Sequence, residues 1–193
     1  MNDSSSPEFW NQRYATARMP WDFGGAPEAL SDFLDREPTG RVLIPGCGTG
    51  YEVRALARAG WFVDAVDFSP EAVRHAQDYL GERESDLVRE ANFFAPNPNG
   101  PFDLIYERTF LCSLPRDQWM SYARQVNECL RPTGALAGFF FFGPEPEPPP
   151  FPLGNNELAS LLGTLFTLTE DFPVADSLPL FAGKERWQAW RKE

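Results

Sequence analysis

Apolar residues recur along most of the chain at the spacings that distinguish strands from helices. Short apolar runs predict strands over residues 41–44, 62–66, 102–106 and 134–142, with a weaker one near 86–90. Apolar positions three and four apart predict helices between them, over residues 51–59, 70–80 and 115–130, the last ending before Pro132. Because strands and helices alternate, the pattern predicts a doubly wound α/β sheet.

Two flanking segments extend this alternating core, which covers residues 41–142. Residues 9–14 and 27–37 are amphipathic and predict an N-terminal helical cover within residues 1–38. The proline-rich residues 143–152 cannot form regular structure, and a helix near 157–162 precedes strands near 166–169 and 186–190. Residues 1–193 are therefore expected to form one domain: a Rossmann-like seven-stranded sheet, helices on both faces, and a C-terminal segment over 143–193.

The loop after the first predicted strand carries three glycines with the spacing G-x-G-x-G. It consists of Pro45, Gly46, Cys47, Gly48, Thr49 and Gly50. Glycine lets a backbone turn sharply and approach a ligand closely. Dinucleotide-binding loops have the spacing G-x-G-x-x-G, which places a helix N-terminus against a pyrophosphate. The tighter spacing favours S-adenosylmethionine, which has no phosphate. A nicotinamide-dependent oxidoreductase and a non-catalytic cofactor-binding module are the alternatives.

The ends of the next two strands carry candidate contacts for an adenosine. Asp67 ends the second strand, where a carboxylate can accept hydrogen bonds from both ribose hydroxyls. Asn92 and Phe93 follow the third strand, where the amide can bond the adenine amino group and the ring can pack on the base. The alternative for this pair is a strand end with a core phenylalanine.

Composition narrows the partners. The formal net charge of −11 disfavours a polyanion such as nucleic acid, so a small-molecule acceptor is expected. No apolar stretch is long enough to cross a membrane, and the three cysteines form no C-x-x-C pair. These features predict a cytoplasmic monomer without a metal site.

Several segments, taken in order, are similar to the family of thiopurine S-methyltransferases and thiol/halide methyltransferases. They are Phe9-Trp10, Arg13-Tyr14, Pro20-Trp21-Asp22, residues 42–48, residues 102–108 and Pro149-Pro150-Phe151. The resemblance implies the seven-stranded methyltransferase fold. It also implies cofactor contacts from Trp10, Trp21, the glycine loop, Asp67 and Arg108, and the predicted cofactor site includes their neighbours Phe68, Ser69 and Glu107. At the position of Arg108 the thiopurine branch of the family also has arginine, whereas the thiol/halide branch has tyrosine.

The expected methyl acceptor is a small soft nucleophile, most simply a thiol. The single histidine, His75, is expected to be solvated, so the usual general base is missing and no catalytic base is assigned. A thiol ionises readily, and the resulting thiolate reacts without a base to remove a proton. A halide and a selenium or tellurium species are alternative acceptors. Arg108 and Phe151, the latter after the proline-rich loop, are expected to line the acceptor pocket, whereas Cys112 and Cys129 are expected to be small core residues.

Overall fold

One twisted sheet lies at the centre of the computed structural model, which describes residues 3–97, 99–145 and 147–193. Its seven strands within those residues run in the order β3-β2-β1-β4-β5-β7-β6. The bounds are β1 Arg41–Pro45, β2 Phe62–Asp67, β3 Val88–Glu90, β4 Phe102–Arg108, β5 Leu130–Phe141, β6 Phe166–Pro173 and β7 Glu185–Lys192. β1 to β5 pair in parallel, and β7 runs antiparallel to both β5 and β6. The predicted sheet is confirmed.

Helices cover both faces of this sheet, as expected for a mostly parallel one. Their bounds are α1 Pro7–Ala15, α2 Glu28–Leu34, α3 Tyr51–Arg58, α4 Pro70–Leu80, α5 Trp119–Cys129 and α6 Glu157–Leu162. The apolar sides of α2, α3 and α4 pack into one buried cluster, and those of α5 and α6 pack into another on the opposite face. Among the described helices, none is long and apolar enough to cross a membrane.

The N-terminal cover is attached to the core through the start of α4. Ser69 caps α4 by accepting a hydrogen bond from the Ala72 backbone N–H at 3.1 Å, and Pro70 follows as the first helical residue. The Ser69 hydroxyl also donates to the Asn11 side chain of α1 at 2.7 Å, and the Glu71 N–H donates to the same Asn11 oxygen at 3.4 Å. These bonds place α1 beside the end of β2.

Some predicted boundaries were wrong. The helix expected from 115 begins at Trp119, after a 3-10 turn, and β5 begins at Leu130 rather than near 134, with Pro132 inside the strand. The pairing of β4 with β5 shifts register between Phe102 and Leu104, and residues 131–133 are exposed, so this strand tolerates a proline there. β6 and β7 each extend to eight residues, beyond the predicted 166–169 and 186–190, and they pair with each other at the edge of the sheet.

The chain order reverses between β1 and β4. β2 and β3 continue on one side of β1, whereas β4 and β5 lie on the other. In open α/β sheets, ligands bind beyond the carboxyl ends of the strands at such a reversal. The glycine loop after β1 and the turn after β4 both lie at this point.

Candidate active site

Two adjoining pockets lie beyond the carboxyl ends of β1 to β4. The larger has a volume of about 250 Å³ and the smaller about 70 Å³. The residues that line both are Tyr14, Trp21, Gly46 and Thr109. A ligand that occupies both pockets must therefore pass between the N-terminal cover on one side and the ends of β1 and β4 on the other.

The glycines of the loop permit close approach by two aromatic side chains. Gly46, Gly48 and Gly50 have φ values of +58°, +54° and +82°, in the region that side chains disfavour. A Cβ on Gly46 would overlap the Phe110 ring, and a Cβ on Gly48 would lie 2.9 Å from the Tyr14 hydroxyl. Pro45 and the rest of the loop as far as Thr49 line the smaller pocket. The wall of the site thus requires glycine in the loop.

Asp67, at the end of β2, lines the larger pocket beside Phe68. Its carboxylate accepts hydrogen bonds from the Gly48 N–H at 3.2 Å and the Ser69 N–H at 2.9 Å. Burial raises the pKa of Asp67 to about 6. Ser69, predicted as a cofactor contact, lines neither pocket and is fully buried, because its hydroxyl serves α4 and Asn11.

Asn92 and Phe93 both line the larger pocket, where the sequence predicted an adenine contact. Phe93 is buried and packs edge-on against Phe110, with ring centroids 5.2 Å apart. The Asn92 side-chain oxygen accepts a hydrogen bond from the Phe94 N–H at 2.9 Å. Phe93 therefore belongs to the core and to the pocket wall at once.

Three aromatic residues of the N-terminal cover face the pockets. Trp10 and Trp21 both line the larger pocket and meet edge to face, with ring centroids 5.3 Å apart. Tyr14 lies one helical turn after Trp10, lines both pockets and was missed as a site residue. The i, i+4 spacing from Trp10 to Tyr14 was the signal that could have identified it. His75 is a correction: it is half-buried, with its ring 5.5 Å from that of Tyr14, rather than solvated.

The smaller pocket carries charges of both signs. Asp22, Glu52 and Arg108 line it, and so does Tyr106. The Arg108 side chain is 8% exposed, with its guanidinium 4.2 Å from the centre of the Phe23 ring. Its Nε and Nη1 atoms have no hydrogen-bond partner among the described residues, and neither does the Tyr106 hydroxyl. These buried donors are available to an anionic ligand group.

Glu107 was predicted to belong to the cofactor site, but it lines neither pocket. The side chain is buried and accepts hydrogen bonds from the Phe110 N–H at 2.9 Å, the Leu111 N–H at 3.3 Å and the Tyr122 hydroxyl at 3.4 Å. Burial raises the pKa of Glu107 to about 7. Its place in the structure is to hold the turn that carries Thr109 and Phe110 into the site.

An apolar wall closes the far side of the larger pocket. Its members come from the turn after β4, the proline-rich loop and the loop before β7, and they include Cys112, Pro149, Pro150, Leu180 and Phe181. Phe151 lies outside the lining and packs with the cluster under α5 and α6, and its N–H donates to the Cys112 carbonyl at 2.6 Å. Cys47, Cys112 and Cys129 are all buried free thiols. Among the described residues, no group of three potential ligands could hold a metal ion.

The geometry fits S-adenosylmethionine. The larger pocket offers a carboxylate, an amide and aromatic faces to an adenosine. The smaller pocket offers an amino acid acidic groups and buried donors that make no hydrogen bond among the described residues. The strand order, with β7 antiparallel, is that of the seven-stranded S-adenosylmethionine-dependent methyltransferases. The protein is an enzyme of this class, and the cofactor predicted from the glycine spacing is confirmed.

Comparisons with known proteins identify the family within that class. The model of the thiopurine S-methyltransferase family matches residues 5–193, and the chain belongs to this family. It is 28% identical to thiocyanate methyltransferase 1 of Arabidopsis thaliana, over 95% of this chain and 84% of that protein. It is 27% identical to a thiopurine S-methyltransferase of Vibrio cholerae, over 80% of each.

Solved structures show the same fold. The 1,6-didemethyltoxoflavin-N1-methyltransferase of Burkholderia thailandensis, solved with S-adenosylhomocysteine, superposes with a TM-score of 0.75 at 22% identity, over 96% of this chain and 86% of that chain. DhpI, also in complex with S-adenosylhomocysteine, gives a TM-score of 0.72 at 20% identity, over 97% and 95%.

Proposed function

We propose that this enzyme methylates a small soft nucleophile of the thiol type. The apolar wall of the larger pocket carries the proposal. Of the described residues that line this pocket, only Arg13 and Asp67 are charged. Arg13 lies over the Phe9 ring, 3.4 Å from its centre. Asp67 faces the glycine loop. The apolar wall itself therefore offers an acceptor no charged side chain that could serve as a general base, and Asp67 is assigned to the ribose.

The cofactor is assigned to the two pockets by their chemistry. The adenosine is placed in the larger pocket, with Asp67 on the ribose and with Asn92 and Phe93 on the base. The amino-acid end is placed in the smaller pocket, with Arg108 on its carboxylate and Glu52 near its ammonium group. The Nε and Nη1 atoms of Arg108 make no hydrogen bond among the described residues, which supports this orientation.

The chain's residues align the reactants and exclude water. When bound, S-adenosylmethionine supplies the methyl group: its S–CH₃ bonding electrons remain on sulfur, and a lone pair of the acceptor forms the new bond. Trp10 and Trp21 close the pockets from the side of the cover. Thr109 and Phe110, held by Glu107, close them from the side of the sheet. Holding both reactants in line lowers the entropic part of the barrier.

The lack of a base limits the acceptor to a group that ionises by itself. A free thiol has a pKa near ~8.5 and is partly a thiolate at neutral pH. The two relatives described above are named for thiocyanate and for thiopurines. A further Arabidopsis relative is named "Probable thiol methyltransferase 2". It is 30% identical to this chain, over 73% of this chain and 64% of that protein. All three support a sulfur acceptor.

An acceptor screen tests the proposal. Release of S-adenosylhomocysteine is measured with thiols of graded pKa, thiocyanate, a thiopurine and iodide, against an alcohol and an amine. We expect the sulfur acceptors to react fastest. We also expect the inflection of kcat/KM with pH to follow the acceptor's own pKa. An inflection that stays fixed as the acceptor pKa changes would reveal a base on the enzyme and contradict the proposed mechanism.

We further propose that the protein acts as a cytoplasmic monomer on small molecules rather than on nucleic acid. The net charge of −11 supports the last point, because a polyanion would be repelled by most of the surface. Light scattering at assay concentration tests the oligomeric state, and titration with labelled DNA and RNA at low salt tests the exclusion of nucleic acid.

A further inference from the structure

We infer that Tyr14 is a catalytic residue whose hydroxyl oxygen contacts the sulfonium methyl group at the junction of the two pockets. The inference rests on the proposed function. It assigns a role to a side chain that lies outside the repeating α/β core, on α1.

The position of Tyr14 relative to the pockets is the first line of support. Of the described residues, Tyr14, Trp21, Gly46 and Thr109 line both pockets. The sulfur of S-adenosylmethionine joins the ribose to the amino-acid chain. If these two parts occupy the two pockets, the sulfur and its methyl group lie where the pockets meet, and those four residues surround them.

The Tyr14 side chain is held in place on several sides. It is 5% exposed, and its ring packs against Trp21 at 6.1 Å and against His75 at 5.5 Å between centroids. The hydroxyl lies 2.9 Å from the place that a Cβ on Gly48 would take. The missing side chain at Gly48 therefore gives the oxygen access to the glycine loop. A phenol so fixed needs little reorganisation when a ligand binds.

The protonation state of Tyr14 decides what the hydroxyl can do. Burial, and then the negative charge of Asp67, raise the pKa of Tyr14 far above its usual range. The phenol therefore stays protonated and cannot remove a proton from the acceptor. Its oxygen keeps lone pairs, and a methyl group on a positively charged sulfur is polarised, so that its C–H bonds can donate weak hydrogen bonds to oxygen. The neutral product has no such methyl group.

The test compares Tyr14→Phe with Tyr79→Phe. Both variants lose one phenolic oxygen, and Tyr79, which is half-buried whereas Tyr14 is buried, lines neither pocket. Calorimetry gives the dissociation constants of S-adenosylmethionine and S-adenosylhomocysteine, and steady-state kinetics gives kcat. For Tyr14→Phe we expect about a three- to tenfold weaker binding of S-adenosylmethionine, as for the loss of one weak hydrogen bond. S-adenosylhomocysteine should change by less than about twofold.

The same variant should lower kcat by about three- to tenfold without altering the shape of its pH profile. Tyr79→Phe should match the wild type in every measurement. Equal losses for both ligands, or no loss, would overturn the inference and leave Tyr14 as packing. Loss of a pH-dependent limb would show that Tyr14 is a base and would also overturn it. A wild type that binds neither ligand would instead refute the proposed function.

Discussion

The Nε atom of Arg108 lies 3.7 Å from the Oε1 atom of Glu185, and both side chains are almost completely buried. Glu185 also accepts a hydrogen bond from the Ser177 hydroxyl at 2.7 Å. Ser177 belongs to the loop before β7, which supplies Leu180 and Phe181 to the apolar wall. Arg108 of the smaller pocket is thereby connected, through Glu185 and the loop of Ser177, to the apolar wall of the larger pocket.

Replacing Arg108 by methionine should weaken both cofactor forms. The proposed bond to the ligand carboxylate is charge-assisted and worth about 1.5–3 kcal/mol, so both dissociation constants should rise about ten- to hundredfold. The variant also leaves Glu185 buried without its partner, which should lower the free energy of unfolding. Calorimetry and urea unfolding measure the two effects.

The double variant Arg108→Met/Glu185→Gln separates these effects, because it removes the unpaired charge. It should regain stability but not affinity. If instead the cofactor affinities of Arg108→Met are normal and the acceptor KM rises, Arg108 binds the acceptor, which is the other role that the sequence analysis predicts for it.

Glu107 should make stability depend on pH. Because burial raises its pKa from 4.5 to about 7 in the folded state, that state binds more protons than the unfolded chain between those values. The contribution of Glu107 to the free energy of unfolding should therefore fall as the pH rises from about 4.5 to 7, by at most about 1.4 kcal/mol per pH unit.

Urea unfolding at pH 5, 6, 7 and 8 checks this expectation for the wild type against Glu107→Gln. The amide keeps an oxygen for the Phe110 and Leu111 N–H groups but does not titrate. The difference in unfolding free energy, wild type minus variant, should decline with rising pH. A constant difference would mean that Glu107 titrates at the same pH in both states.

Cofactor affinity should fall in mild acid through Asp67. Its pKa of about 6 means that the carboxylate is largely protonated at pH 5, and the neutral group is a poorer acceptor for ribose hydroxyls. Below pH 6 the affinity for S-adenosylhomocysteine should decrease by up to about tenfold per pH unit. Asp67→Asn should bind about ten- to hundredfold more weakly at pH 8 and show a flat profile. The same acid-side loss in the Asn variant would place the titrating group elsewhere.

Trp21 should distinguish the charged cofactor from the neutral product. It lines both pockets, so its ring lies near the junction where the sulfonium is placed, and a cation against a tryptophan face gains about 0.5–2 kcal/mol. Trp21→Ala should therefore weaken S-adenosylmethionine more than S-adenosylhomocysteine. Trp10→Ala is the control, because Trp10 lines only the larger pocket and should affect both ligands alike. Equal losses in Trp21→Ala would leave Trp21 with a packing role only.

Local patterns in the sequence were sufficient for the architecture and for the backbone of the glycine loop. The apolar spacing that predicted β1 and α3 reflects burial of one side of each element, and burial is periodic along the chain. The glycines at 46, 48 and 50 have a purely backbone cause, since each adopts a positive φ. Asp67 was identifiable because it ends an apolar run, and the family resemblance added Trp10, Trp21 and Arg108.

The tertiary structure alone decided how distant residues combine. Tyr14 and Gly48 lie 34 positions apart (48 − 14), and only packing of α1 on α4 brings the hydroxyl to the loop. The sequence predicts a ligand contact for Glu107, yet its carboxylate accepts hydrogen bonds from the N–H groups of the next turn, because a buried turn must satisfy its own donors. Pro149 and Pro150 face the pocket, whereas Phe151 packs in the core. Such side-chain directions depend on contacts made across the fold, which leave no periodic trace in the sequence.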